Sequence, residues 1–270
     1  MWNSGHAEIP SLSIASGRRD AITAGARSTL TGLLRLLGSP APALADGDAV
    51  PVPLRRLHAG ATLFLEGGHA DAVYFVQAGT FKLYRTAEDG YEQVLGFAGR
   101  AEVLGFDAVC SRQHPSAAQA LEDAVVYALP IADILSPGPR VPALDQVLHL
   151  AVSHQLTRRD ELAEVMAAVA AEVKLARFLL HLSARMAACG QSPRRLLLRM
   201  SRRDIASLLG VAHETVSRAF GALATQGVLA VDQREVELLD LDGLRRFARA
   251  TRGATPRCAS TALPEQRAAA

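Results

Sequence analysis

The residues best placed to do chemistry lie in one stretch, Ser201-Arg-Arg-Asp-Ile-Ala-Ser-Leu-Leu-Gly-Val-Ala-His-Glu-Thr-Val-Ser-Arg218. Their chemistry is recognition rather than catalysis. Ile205, Leu208, Leu209 and Val216 fit the inward faces of two short helices, and Gly210 permits a tight turn between them. That leaves His213, Glu214, Ser217 and Arg218 on the outer face of the second helix, near its start. Helix-turn-helix proteins offer this part of a helix to the DNA major groove. An arginine there can be bidentate to guanine, a glutamate can accept from cytosine N4, and a serine can reach several bases. Ser201 is a candidate cap for the first helix, and Arg202 and Arg203 are candidate phosphate contacts. No Ser/His/Asp order, phosphate loop or HExxH occurs, so no enzyme is expected.

The net charge of +2 says little until it is divided along the chain. Pro53 to Ile134 carries six basic residues (Arg55, Arg56, Lys82, Arg85, Arg100 and Arg112) against ten acidic ones. Arg194 to Arg218 carries six arginines against Asp204 and Glu214. A basic module behind an acidic one suggests a polyanion partner for the second alone. On charge alone, the arginines would equally suit solvated helix faces.

The elements that must position these residues follow from pattern. Residues 1–45 are rich in Ser, Ala and Gly, are interrupted by one short amphipathic piece from Thr29 to Leu37, and read as a tail. Short apolar runs at 61–65, 73–76, 80–84, 94–95 and 125–127, punctuated by glycines, read as a β-roll, sandwich or barrel spanning 46–138. Ala143 to Ala171 contains no Gly or Pro and reads as one helix of about 40 Å within a 139–171 segment. Its apolar stripe (Leu144, Leu148, Val152, Leu162, Met166 and Val169) suits either its own domain or a seam between two subunits, with Gln155 and Arg159 as interruptions. Between 172 and 250 the order is helix, strand, helix-turn-helix, hairpin, helix, which is a winged helix-turn-helix. Residues 251–270 read as a second tail.

No apolar run approaches the ~20 residues of a membrane helix, and the start lacks a secretory pattern, so a cytoplasmic protein without membrane contact is expected. The three cysteines, Cys110, Cys189 and Cys258, are scattered and show no CxxC spacing, against a disulfide framework or a metal site. Cys110, with Arg112 and His114 nearby, could be a redox thiol; a small buried side chain at a strand end is the favoured reading.

The helix-turn-helix segment resembles that of the Crp/Fnr superfamily, and its Glu-x-x-Ser-Arg form resembles the Fnr branch. Gly105-Phe-Asp-Ala-Val-Cys-Ser-Arg-Gln-His-Pro-Ser-Ala-Ala-Gln-Ala-Leu-Glu122 is similar to the Fnr roll, and Ala171-Glu-Val-Lys-Leu-Ala-Arg-Phe-Leu-Leu-His-Leu182 to the helix after the dimer helix. The resemblance covers nearly all of 54–250. It implies an α+β protein: a cyclic-nucleotide-binding-like β-roll, a long dimerisation helix and a C-terminal winged helix-turn-helix. It further implies a homodimer on TTGAT-like palindromes read by Glu214, Ser217 and Arg218, with RNA polymerase as a further partner. The alternative is a β-roll ligand or interaction module whose helix-turn-helix is no longer used.

Departures restrict the cofactors. No cysteine precedes Cys110, and Tyr127 stands where the Fnr roll has a cysteine, so no iron–sulfur cluster is expected. Gly105 is followed by Phe106 and Asp107, and no arginine lies near 117–120, so the usual partners of cAMP are missing. Ala101-Glu102 replaces the common Gly-Asp, and Ala212 replaces the usual hydroxyl at the start of the recognition helix. The eight histidines could include a haem ligand, as in nitric-oxide-sensing relatives, but lone histidines are usually ordinary polar residues, and no cofactor is expected.

Overall fold

Alternation along two strands explains the N-terminal architecture of the computed structural model, which describes residues 27–39, 50–136 and 141–249. In β4 (Ala72–Ala78), Val73 and Phe75 enter one apolar cluster while Ala72, Tyr74 and Val76 enter another. β9 (Ala124–Pro130) divides likewise, Tyr127 and Leu129 against Ala124, Val126 and Ala128. A strand with both faces buried reads as a continuous apolar run. These two strands are central in a sheet of order β1-β2-β9-β4-β7, with β1 (Arg27–Thr29), β2 (Pro51–Leu57) and β7 (Val103–Leu104). The opposing sheet has order β3-β8-β5-β6, with β3 (Thr62–Phe64), β5 (Phe81–Thr86), β6 (Glu92–Ala98) and β8 (Ala117–Ala120). One cluster fills the roll between the sheets; the other lies between the first sheet and a layer of helices.

The segment 27–39 corrects the reading of 1–45 as a tail. Thr29 caps α1 (Leu30–Leu36), accepting from the Gly32 N–H at 3.3 Å. Leu30, Leu33, Leu34 and Leu37 are buried beside Ala143 and Val147. Each fully buried leucine contributes about 1.5–3 kcal/mol, enough to hold a seven-residue helix too short to stand alone. Residues 1–26, 40–49, 137–140 and 250–270 lie outside the described residues.

After α2 (Ile131–Ile134) comes α3 (Pro142–Met166), which is shorter than the sequence suggests. It stops five residues before α4 (Ala171–Ala188) without Gly or Pro. Tertiary contacts end it: the buried Arg177 guanidinium donates to Glu164 O and Ala248 O, while Val165 and Ala168 sink into the C-terminal core. α4 is followed by β10 (Arg195–Leu197), α5 (Arg202–Leu209), α6 (His213–Thr225), β11 (Leu229–Asp232), β12 (Glu235–Leu238) and α7 (Leu241–Ala248). The wing sheet has order β10-β12-β11. Val94 and Phe97 of the roll join the apolar cluster of these helices, so the two units share a core. Among the described residues, no helix is long and apolar enough to cross a membrane.

Candidate nucleic-acid interface

The geometry of α6 is set by what precedes it. Ser201 and Asp204 form a reciprocal cap on α5: the Ser201 hydroxyl accepts from the Asp204 N–H at 3.1 Å, and the Asp204 carboxylate from the Ser201 N–H at 2.9 Å. Gly210 closes α5 at φ +64°, where a side chain would be strained. The Lys174 ammonium donates to Leu209 O at 3.0 Å, a cation on the negative end of that helix. α6 then buries Val216, Ala219, Phe220 and Leu223. The same rotation leaves His213, Glu214, Ser217 and Arg218 exposed on the opposite face. Ser217 Oγ donates to His213 O and Arg218 Nη2 to Thr215 Oγ1, both at 3.3 Å and both within the helix. Ala212 provides no side-chain cap, so α6 begins with uncapped N–H groups, as its alanine led one to expect.

The arginine cluster is less available than charge counting implied. Arg202 lies 3.5 Å above the Phe220 ring and donates to Gln233 O, and its burial lowers its pKa. Its side chain is engaged in packing and is less free than that of Arg203 to reach a phosphate. Ser201 is occupied as a cap. Arg194 donates to Leu238 O and Leu239 O, and Arg199 pairs with Glu122 of the roll at 2.9 Å. Arg203 remains exposed on α5. The sequence reading missed Arg234, exposed in the hairpin turn whose Gln233 carbonyl touches Arg202. A basic residue between two short strands was the available signal.

α5 also docks on the roll. Ser207 Oγ accepts from Val94 N and donates to Glu92 O, each at 2.9 Å. Gln93 Nε2 donates to Ser207 O at 3.2 Å. The buried Lys82 ammonium reaches Glu92 at 2.6 Å and Asp204 at 3.4 Å. Burial alone would lower the Lys82 pKa; the two carboxylates outweigh that and hold it above the ordinary value.

α3 has two faces. Ala143, Val147, Ala151, Gln155, Arg158, Leu162 and Val165 turn to the chain's own body: Gln155 donates to Val103 O at 2.7 Å, and Leu162 packs on the C-terminal core. Val152, Leu156 and Met166 are 41, 58 and 40% exposed, and Arg159 is exposed beside them, while Leu144 and Leu148 are half-buried. Leu162 therefore leaves the stripe to which it was assigned, and Leu156 replaces it. They are six residues apart, about 1.7 turns, which the 3.6-residue period turns about 120° from each other. Cys110 sits in an exposed turn, not in the buried position expected. Cys258 lies outside the described residues.

Comparison with known proteins decides what this architecture is. Residues 54–136 match the cyclic nucleotide-binding domain family, and residues 173–247 the Crp-like helix-turn-helix domain family. The transcriptional regulatory protein btr of Bordetella pertussis is 36% identical over 211 residues, covering 78% of this chain and 87% of that protein. The chain belongs to the Crp/Fnr family. The fumarate and nitrate reduction regulatory protein of Escherichia coli K12 is 35% identical, over 73% of this chain and 79% of its own length. The structure of FixK2 from Bradyrhizobium japonicum superposes with a TM-score of 0.62 at 27% identity, covering 74% of this chain and 98% of that one. As a Crp/Fnr protein, the chain is a DNA-binding transcriptional regulator, with its β-roll before its winged helix-turn-helix.

Proposed function

We propose that the protein acts in the cytoplasm as a homodimer that binds TTGAT-like palindromes, and that it contacts RNA polymerase there. One observation carries the base-reading part: His213, Glu214, Ser217 and Arg218 share an exposed face at the start of α6, and the hydrogen bonds of Ser217 and Arg218 stay within that helix among the described residues. Arg218 and Glu214 can read a G·C pair from its two sides, and Ser217 an adjacent base. Arg203, Arg234 and the uncapped N–H groups of α6 are the phosphate contacts. The exposed Val152, Leu156 and Met166, with half-buried Leu148 beside them, support the dimer, since an apolar helix face of that length is normally covered.

The same proposal leaves the roll without cyclic nucleotide. Its interior is filled by Phe64, Tyr74, Phe81 and His114, with Phe64 and His114 stacked at 3.8 Å. β8 presents buried Ala117, Ala118 and Ala120 where a cyclic phosphate would need a cation. Neither an iron–sulfur cluster nor haem is part of the proposal.

A gel shift on a TTGAT-N4-ATCAA duplex tests it. Tight binding that a scrambled duplex does not compete supports the reading. Equal affinity for both, or none for either, refutes it and favours a roll module with an idle helix-turn-helix.

A further inference from the structure

Two adjoining clefts of about 410 and 220 Å³ open where the roll, α3, α4 and β10 meet. Arg100, Glu102, Arg185 and Cys189 line both. The charges there are unevenly matched. Glu102 is the shared partner of Arg158 and of Arg185, the latter at 2.9 Å, and it also accepts from the Gly99 N–H. Arg158 and Arg185 are only 23 and 27% exposed. Glu161 is the other carboxylate of the smaller cleft, which also holds His154. Arg100 donates to a neutral acceptor, Gln77 O at 2.8 Å, whereas Arg199 is matched by Glu122. Burial, with Arg185 adding repulsion and Glu161 opposing it, pushes Arg158 down to about 9, so it stays charged at neutral pH. Half-buried guanidiniums that share one bonded carboxylate are costly. An arriving anion offsets that cost through charge-assisted, bidentate bonds. The larger cleft also has an apolar wall of Phe97, Leu182, Met186 and Met200, and its volume falls in the range of small-molecule sites.

We propose that these adjoining clefts together bind one small organic anion, its phosphate or carboxylate held by Arg100 and Arg185, which line both, and by Arg158, which lines the smaller, and its apolar body against Phe97, Leu182 and Met186 of the larger. The site is separate from the filled interior of the roll. Arg100 belongs to the roll, Arg158 to α3, and Arg185 and Met186 to α4, so one ligand clamps the roll to the unit that carries α6. It thereby fixes how that unit is presented, and this regulatory consequence rests on the DNA-binding reading.

Cys189 supplies the test, because it lines both clefts, while Cys110 is exposed and lines neither. Alkylation of the full chain by N-ethylmaleimide is followed at each cysteine by peptide mass, with phenyl phosphate, benzoate or inorganic phosphate as probe. At a probe concentration about ten times its Kd, Cys189 labelling should slow about tenfold while Cys110 is unaffected. Whichever of phenyl phosphate and benzoate protects more identifies the head group. Arg185→Gln should abolish protection; Arg100→Gln, an exposed change safe for folding, should weaken it. The proposal is overturned if neither aromatic probe protects Cys189, if Cys110 slows equally, or if both variants are protected as well as the parent. Inorganic phosphate protecting as well as phenyl phosphate would overturn the apolar subsite. A failed gel shift beside intact Cys189 protection would remove the DNA reading and leave the site standing.

Discussion

His114 is 2% exposed, stacked on Phe64, with its Nδ1 buried and unbonded. Burial lowers its pKa below 6.5; Asp107 and Asp71 pull the other way, and His69 adds to the lowering. The unfolded chain therefore takes up this proton first as the pH falls. Stability is full above the ordinary histidine value, about 6.5, and declines below it. Urea titrations from neutral pH to about 5.5 should show a steeper loss for the parent than for His114→Phe; parallel losses would refute the assignment. The arginines separate by the same kind of argument. Arg218→Ala should cost about 1–3 kcal/mol at the cognate site and relax specificity there, with equal losses on random DNA counting against base reading. Arg203→Ala should weaken all sequences alike and reduce the salt slope by about 1. Arg202→Ala should instead lower the melting temperature, because it uncovers Phe220.

Among the elements, the α5–β6 contact hangs on one hydroxyl. Ser207→Ala would leave Val94 N–H and Glu92 C=O without partners in a largely buried contact, at a cost of about 1–3 kcal/mol. Hydrogen exchange should quicken at the Val94 amide while amides in the centre of β4 keep their protection. An unchanged Val94 amide would mean that Lys82 with Asp204 and Glu92 suffices to hold the docking. The two faces of α3 give a paired prediction. Leu156→Asp should dissociate the dimer and leave the protomer folded, whereas Leu162→Asp should unfold the C-terminal core. Arg159→Leu should strengthen association, since in the proposed dimer it would remove a charge that meets its own copy across the two-fold axis. Sedimentation with circular dichroism decides: a dimeric Leu156→Asp, or a weaker Arg159→Leu dimer, would put the seam elsewhere.

For the molecule as a whole, the two-fold symmetry of the proposed dimer makes target spacing a test of it. Recognition helices related by such an axis contact half-sites about 34 Å apart, one DNA turn. Inserting about five base pairs between half-sites turns one to the opposite side of the duplex and should reduce affinity to that of a single half-site. Inserting about ten should restore part of it. Affinity indifferent to both insertions would mean that the protomers bind independently.

Local pattern was enough for whatever depends on neighbours in the chain. The turn at Gly210, the Ser201 cap, the inward Ile205, Leu209 and Val216, and the outward His213, Glu214, Ser217 and Arg218 all follow from a 3.6-residue period and one glycine. The strands β3, β4, β5, β6 and β9 were legible as short apolar runs, alternating or continuous, set off by glycines. What escaped depends on partners distant in sequence. Leu30 and Leu33 are buried only because α3 arrives to cover them, more than a hundred residues later. α3 ends at Met166 because Arg177 captures Glu164 O, and no breaker residue announces that. Arg202 is withdrawn from solvent by Phe220 one helix away, and Arg158 meets Arg185 over the single carboxylate of Glu102. Periodicity reports which face of an element is apolar; which body covers that face, and which charges it brings together, is settled by packing of the whole chain.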